Sequence, residues 1–209
     1  MKRVALLGMP NTGKSTLFNR LSGASARVGN WPGITVDLMS AKILLGGHIA
    51  ELVDLPGLYD LHGFSDDEQV VRHFLSHHEV DLALIILNGA QIDRQLSLAL
   101  QIRHLGLPAV LLLNMEDEAK RAGITIDTQA MARQLGIPVL TISAKYGSGC
   151  PEALRLAANT MASQPSPLQP QSIAEKLEAD NQIEHEMHQI VESTVQMPLQ
   201  LNDATTDRI

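Results

Sequence analysis

The sequence predicts an α/β fold: a doubly wound, mostly parallel six-stranded sheet with one antiparallel strand, plus a short C-terminal helical appendage. Three observations lead there. Continuous apolar runs of strand length alternate with segments of helical period, the pattern expected when helices cover both faces of a parallel sheet. The 209 residues are 44% hydrophobic but only 3% aromatic, so the core must be built from Leu, Ile, Val and Ala. A Pro-rich stretch then separates this alternation from an end of different composition.

Taken in order, the first strand is residues 2–8 (KRVALLG), followed by a helix over 13–22. Residues 36–45 (VDLMSAKILL) and 48–54 (HIAELVD) flank Gly46-Gly47, a hairpin signal that supplies the antiparallel strand. A helix over 66–77 starts at Ser65, an N-cap residue, with Asp66, Asp67 and Glu68 favoured in its first turn. Strands at 80–87 (VDLALIIL), 108–113 (PAVLLL) and 137–142 (IPVLTI) alternate with helices at 93–105, 127–135 and 150–162. The stretch "SQPSPLQPQS" places a linker at 165–172, between a domain of residues 1–164 and a helical segment of 173–209. In that segment Ile183, Met187, Ile190, Val191, Thr194 and Val195 form a narrow apolar helical stripe, suited to docking on the main domain or on a partner outside this chain.

The chain holds 16 basic and 23 acidic residues, a net charge of −7. Eight acidic and two basic residues lie beyond residue 164, so the first domain is nearly neutral and the end carries the acidity. No basic stripe exists for a broad nucleic-acid surface, and no nucleic-acid partner is expected. Cys150 is the only cysteine, which excludes an internal disulfide and suits a reducing cytosol. "MKRVALLG" is too short for a signal peptide. "LALIIL" and "AVLLL" fall far below the roughly 20 apolar residues of a membrane helix, so this stretch is expected to be soluble.

The chemistry sits at strand ends. Gly8-Met9-Pro10-Asn11-Thr12-Gly13-Lys14-Ser15, followed by Thr16, matches G-x-x-x-x-G-K-[ST] between a strand and a helix. Backbone N–H groups of such a loop cradle phosphate oxygens, and the helix N-terminus adds positive potential. Lys14 reaches the β- and γ-phosphates and Ser15 ligates Mg²⁺. "NMED" (Asn114, Met115, Asp117) follows the strand "AVLLL" as an N-x-x-D motif. A carboxylate there accepts from guanine N1–H and its exocyclic amino group; adenine would leave it unpaired. "SAK" (Ser143, Ala144, Lys145) completes the base pocket. In "DLPG", Asp54 suits the Mg²⁺ surroundings and the Gly57 N–H the γ-phosphate. "PGIT" contributes Gly33, Ile34 and Thr35, the last a switch threonine that ligates Mg²⁺ in the triphosphate state. Five motifs in order describe a P-loop GTPase that binds GTP or GDP with Mg²⁺.

Many GTPases place a glutamine after D-x-x-G to orient water. Leu58 stands there instead and offers no hydrogen bond. Asn11 is the candidate to replace it. Its amide oxygen suits a monovalent cation against the bridging phosphate oxygens, where positive charge stabilises the transition state. Bracing of the loop by side-chain-to-backbone bonds is the equal alternative.

"PNTGKSTLFNRLSG", "VGNWPGITV", "DLPGLYDL" and "NMED" together resemble the cytosolic G domain of the FeoB family, bacterial ferrous-iron transporters, over residues 1 to 165. "VGNWPGITV" is the most specific element, and the closing "TTDRI" resembles the segment before that family's first membrane helix. The resemblance implies K⁺-stimulated GTP hydrolysis, with Asn11 as K⁺ ligand and the carbonyls of Gly29 and Trp31 completing the cage. It implies a place on the cytoplasmic face of the bacterial inner membrane, with the membrane-embedded remainder of the transporter, and a second copy of the chain, as partners. Asn11, Lys14, Thr35 and Gly57 are the catalytic candidates. Two departures stand out. Met9 replaces a usual Asn, and the segment after Pro165 is much shorter than the family's helical domain, whose effect on GDP release does not carry over.

Other features have plainer readings. His73, His77 and His78 are expected on a solvated helix face rather than around a metal. Arg27 reads as a solvated switch-loop residue and Cys150 as a small residue near a helix start. Two further functions fit the motifs: a soluble GTPase of RNA modification or ribosome assembly, and a switch that docks a partner in its GTP form.

Overall fold

The computed structural model describes residues 1–163, 170–177 and 183–198. Strand β1 (Lys2–Gly8) has Val4 to Leu7 fully buried, which only a central strand covered on both faces allows. It pairs in parallel with β4 (His48–Asp54) and β5 (Leu82–Asn88), with Val4 opposite both Leu52 and Leu82. Beyond β5 come β6 (Ala109–Asn114) and β8 (Val139–Thr141). On the other side β3 (Leu38–Leu45) runs antiparallel to β4 through the Gly46-Gly47 turn, and β2 (Arg27–Gly29) runs antiparallel to β3 at the edge. The sheet order is β2-β3-β4-β1-β5-β6-β8, so β3 alone opposes the rest.

Strand alternation sorts the core into two layers. Ala5, Leu7, Val53, Ile85 and Leu111 face one side, under α2 (Asp66–His77) and α3 (Ile92–His104). Val4, Leu6, Leu52, Leu84 and Leu112 face the other, under α1 (Lys14–Ser22) and α6 (Cys150–Ser163). Two further helices, α4 (Glu116–Arg121) and α5 (Thr128–Leu135), flank the short strand β7 (Thr125–Ile126).

The expected elements form within about two residues of their predicted limits. The sheet has seven strands instead of six, because β2, three residues long, is too short to show a period. α4 was not expected either; its six residues span barely two turns. Past the main domain, α7 (Pro170–Leu177) takes up the last residues of the expected linker, 170–172; Pro at a first helical position leaves no hydrogen bond unmade. Linker residues 165–169 and the closing "TTDRI" lie outside the described residues. α8 (Ile183–Thr194) carries the predicted stripe except Val195, which begins a strand, and of the two expected docking places it takes the main domain. Ile173 from α7, Ile183 and Ile190 from α8 and Val195 are buried in the α2–α3 layer, each contributing about 2 kcal/mol. Strand β9 (Val195–Gln196) pairs with β7, and the Asp127 N–H donates to Thr194 O at 2.9 Å. No helix of the described residues is long and apolar enough to cross a membrane.

Candidate functional site

The phosphate loop spans the gap between the end of β1 and the start of α1. Thr12 is fully buried and its hydroxyl donates to Met9 O at 2.9 Å, closing the loop on itself. Asn11 adopts φ 63° with its side chain exposed. Gly13 has φ 87° and caps α1. A side chain there would collide with the Asn114 amide, so only Gly serves. Lys14 Nζ lies 2.5 Å from Asp54 Oδ1, both side chains nearly buried. Burial raises the Asp54 carboxyl above its ordinary value, against the pull of the Lys14 ammonium.

Met9, Pro10, Asn11, Gly13, Lys14, Ser15, Thr16, Gly57 and Met115 line one cleft of about 480 Å³, joined by Asp67 from the first turn of α2. Leu55 N–H donates to Leu6 O and Leu58 N–H to Gly8 O, at 3.2 and 3.1 Å. These bonds lay the D-L-P-G segment beside the loop, with Gly57 next to Pro10. Leu58 is 1% exposed, so its side chain belongs to the core and not to a water.

On the base side, β6 delivers Asn114, and Met115 turns the chain with φ 63°. Asn114 was expected at the base pocket, and its amide also ties two loops together. Nδ2 donates to Thr12 O at 2.8 Å and Oδ1 accepts from Ala144 N–H at 2.9 Å, with the residue 4% exposed. Asp117, in the first turn of α4, remains half-exposed and 2.5 Å from Arg121 Nη2. The Ser143 hydroxyl accepts from Tyr146 N–H, an ST-type turn, and Lys145 Nζ lies over the Tyr146 ring.

The switch I residues stand elsewhere. Thr35 is exposed, Gly29 ends the edge strand β2, and the Trp31 carbonyl accepts from Ile34 N–H at 3.0 Å. The Trp31 ring is buried against Phe74 and His78, at centroid distances of 4.9 and 5.2 Å, with the Arg3 guanidinium 4.9 Å above it. Arg3 and Gly8 are about 17 Å apart along β1 at ~3.3 Å per residue. In this conformation Thr35, Gly29 and Trp31 are not among the residues that line the cleft with Asn11, Lys14 and Ser15. The histidines likewise depart from a uniformly solvated face: His73 and His77 stack at 4.0 Å, while His78 supports Trp31. Among the described residues no three His, Cys, Asp or Glu side chains form a metal-binding group.

Three contacts escaped sequence reasoning. Gln101 of α3 accepts from Leu61 N–H at 2.9 Å and donates to Asp60 at 2.8 Å. Arg72 of α2 donates to the carbonyls of Leu61 and Gly63. Glu68 accepts from the N–H groups of Ser65 and Asp60. The last had a signal, since Ser65-x-x-Glu68 is a capping box and forms one. Bonds from Ser65 hold the Glu68 carboxyl below its ordinary value.

The Trp31 contact gives a pH prediction. Burial, then the nearby Arg3, His73 and His77, push the His78 imidazole below its ordinary value, with the Pro32 carbonyl opposing. The folded state thus prefers neutral His78. Its contribution is complete above the ordinary value of about 6.5 and is lost as pH falls below it. Trp31 is the only tryptophan, so its emission should shift to longer wavelength between pH 7.5 and 5.5. His78→Phe should flatten the profile; an unchanged wild-type spectrum rejects the coupling.

A family model described as "Ferrous iron transport protein B" matches residues 2–157. The Fe(2+) transporter FeoB of Synechocystis sp. is 48% identical over 197 residues, which is 94% of this chain. The chain spans about a third of that relative's length, 32%. Among solved structures, the cytosolic domain of L. pneumophila FeoB matches with a TM-score of 0.81 and 31% identity, over 93% of this chain and 100% of that one. A GDP-bound mutant of the S. thermophilus FeoB G-domain matches with a TM-score of 0.73 and 26% identity, over 92% of this chain and 88% of the other.

Proposed function

Because this chain belongs to the Ferrous iron transport protein B family and carries its N-terminal G domain, we propose that it binds and hydrolyses GTP and so regulates a ferrous-iron membrane transporter. One observation supports this most directly. The nearly buried Lys14–Asp54 pair stands at the end of the phosphate loop that the Asn114 amide ties to the Ser143–Lys145 loop, so phosphate and base elements are joined in one unit.

The residues act in sequence. Loop N–H groups between Gly8 and Ser15 receive the phosphates, and Lys14 exchanges its bond to Asp54 for a phosphate oxygen. Asp117 reads guanine and the Gly57 N–H meets the terminal phosphate. Ser15 and Asp54 are hard oxygen donors that would hold Mg²⁺, which would neutralise phosphate charge when bound. Of the K⁺ donors implied by the resemblance only Asn11 stands at the cleft; the switch I carbonyls do not fit here. The triphosphate therefore has to draw switch I off α2. The transporter's membrane part would be the partner this switch informs, placing the domain at the cytoplasmic membrane face, and a second copy is a further partner.

Phosphate release from GTP by the purified chain, with Lys14→Ala as blank, tests the activity; no release above the blank overturns it. Hydrogen exchange tests the switch. Residues 24–36 should be more protected with a non-hydrolysable GTP analogue than with GDP, as Thr35 is ordered. Equal exchange in both states would count against it.

A further inference from the structure

We propose that Arg20 is a positioning residue for the base-pocket loop, clamping residues 143–147 to α1 and thereby slowing release of a bound guanine nucleotide. This rests on the nucleotide reading above. Arg20 lies in the last turn of α1. Its Nε donates to Ala144 O and its Nη2 to Lys145 O, both at 2.6 Å. Two parallel donors on one planar group meet two consecutive carbonyls, a fit that the guanidinium fork makes and a single ammonium does not.

Ala144 is thus gripped from both sides. Asn114 takes its N–H and Arg20 takes its carbonyl. Asn114 also holds the phosphate loop through Thr12 O, while α1 begins at Lys14 and reaches Arg20 about 9 Å further on. One short rigid helix consequently joins the phosphate lysine to the base loop. The loop needs such a clamp. Gly147 and Gly149 both have positive φ, 83° and 76°, and glycine leaves the chain many alternative conformations. A Cβ at Gly147 would come within 2.7 Å of Arg20 Nη1, so a side chain there has to displace the guanidinium.

Arg20 is exposed, so replacing it opens no cavity and the variants are expected to fold. Stopped-flow dissociation of fluorescent GDP is measured for the full chain and for Arg20→Ala, Arg20→Lys and Gly147→Ala, alongside association rates and melting temperatures. Arg20→Ala should dissociate GDP about tenfold faster, the order expected for losing charge-assisted hydrogen bonds, with association unchanged. Arg20→Lys should remain several-fold fast, because charge without the fork cannot span both carbonyls. Gly147→Ala should move dissociation in the same direction by displacing the guanidinium. An unchanged dissociation rate in Arg20→Ala, whatever its melting temperature, overturns the proposal. Full rescue by Lys overturns it too, since charge alone would then suffice. Failure of the unaltered chain to bind GDP would instead reject the nucleotide reading, and the proposal with it.

Discussion

Turnover of GTP should rise when K⁺ replaces Na⁺ at constant ionic strength, and Asn11→Ala should remove that rise. Loss of one well-placed electrostatic stabiliser costs about 10²–10³-fold in rate. The structure weakens the alternative in which Asn11 braces the loop, because bracing falls to the Thr12 hydroxyl and the Asn114 amide. It also supplies a control. Asn11 sits at φ 63°, where Ala is strained and Gly is not. Asn11→Ala alone therefore mixes a lost amide with a strained loop. Asn11→Gly removes the amide and relaxes the backbone. If the amide matters, both variants lose K⁺ stimulation while Gly retains nucleotide affinity. If conformation matters, Gly keeps the stimulation and the catalytic role is rejected. A wild-type rate indifferent to K⁺ sinks the idea without either variant, leaving the buried Leu58 with no substitute.

Asp117→Asn should weaken GTP and GDP binding about a thousandfold, since two hydrogen bonds to a charged acceptor are lost in a site built to make them. Preference should move toward xanthine nucleotides, whose C2 oxygen accepts from the new amide. Asp117 contacts Arg121 at 2.5 Å, but that pair is largely exposed and an exposed i,i+4 pair is worth only about 0.3–0.5 kcal/mol. Arg121→Ala should therefore leave binding nearly intact, which separates base reading from the ion pair. The measurement is competition among GTP, ATP and XTP for the wild-type and Asp117→Asn chains. Equal competition by ATP at the wild-type site would remove the basis for calling it a guanine pocket.

The family resemblance read from "VGNWPGITV" and its companion motifs agrees with the comparisons, and the reading as an RNA-modifying or ribosome-assembly GTPase gives way to membership of the Ferrous iron transport protein B family. Much of the site was legible because its geometry is local. A strand ending in G-x-x-x-x-G-K-S places Lys14 at a helix start whatever else the chain does. Asn114 was legible as a motif residue, but its bonds to the protein were not. Its partners, Thr12 and Ala144, lie 102 and 30 residues away. Nothing in the local sequence distinguishes Arg20 from a surface arginine in a last helical turn. Switch I misled in another way: the motif predicts where Trp31 and Thr35 stand with a triphosphate, whereas the structure shows the ring packed on α2.

By itself the sequence determined the order of the longer strands and helices, the one antiparallel strand, the phosphate loop and the apolar stripe that docks the appendage. Those follow from period, turn residues and backbone geometry, all set within a few neighbours. Only the tertiary structure decided that Asn114 and Arg20 hold Ala144 between them, that Gln101 and Arg72 fix the segment after Leu58, and that Trp31 rests on His78 rather than leaving its carbonyl near Asn11. Each of these joins groups distant along the chain. Which of several polar or aromatic partners is met depends on how closely the layers pack, and no local period encodes that.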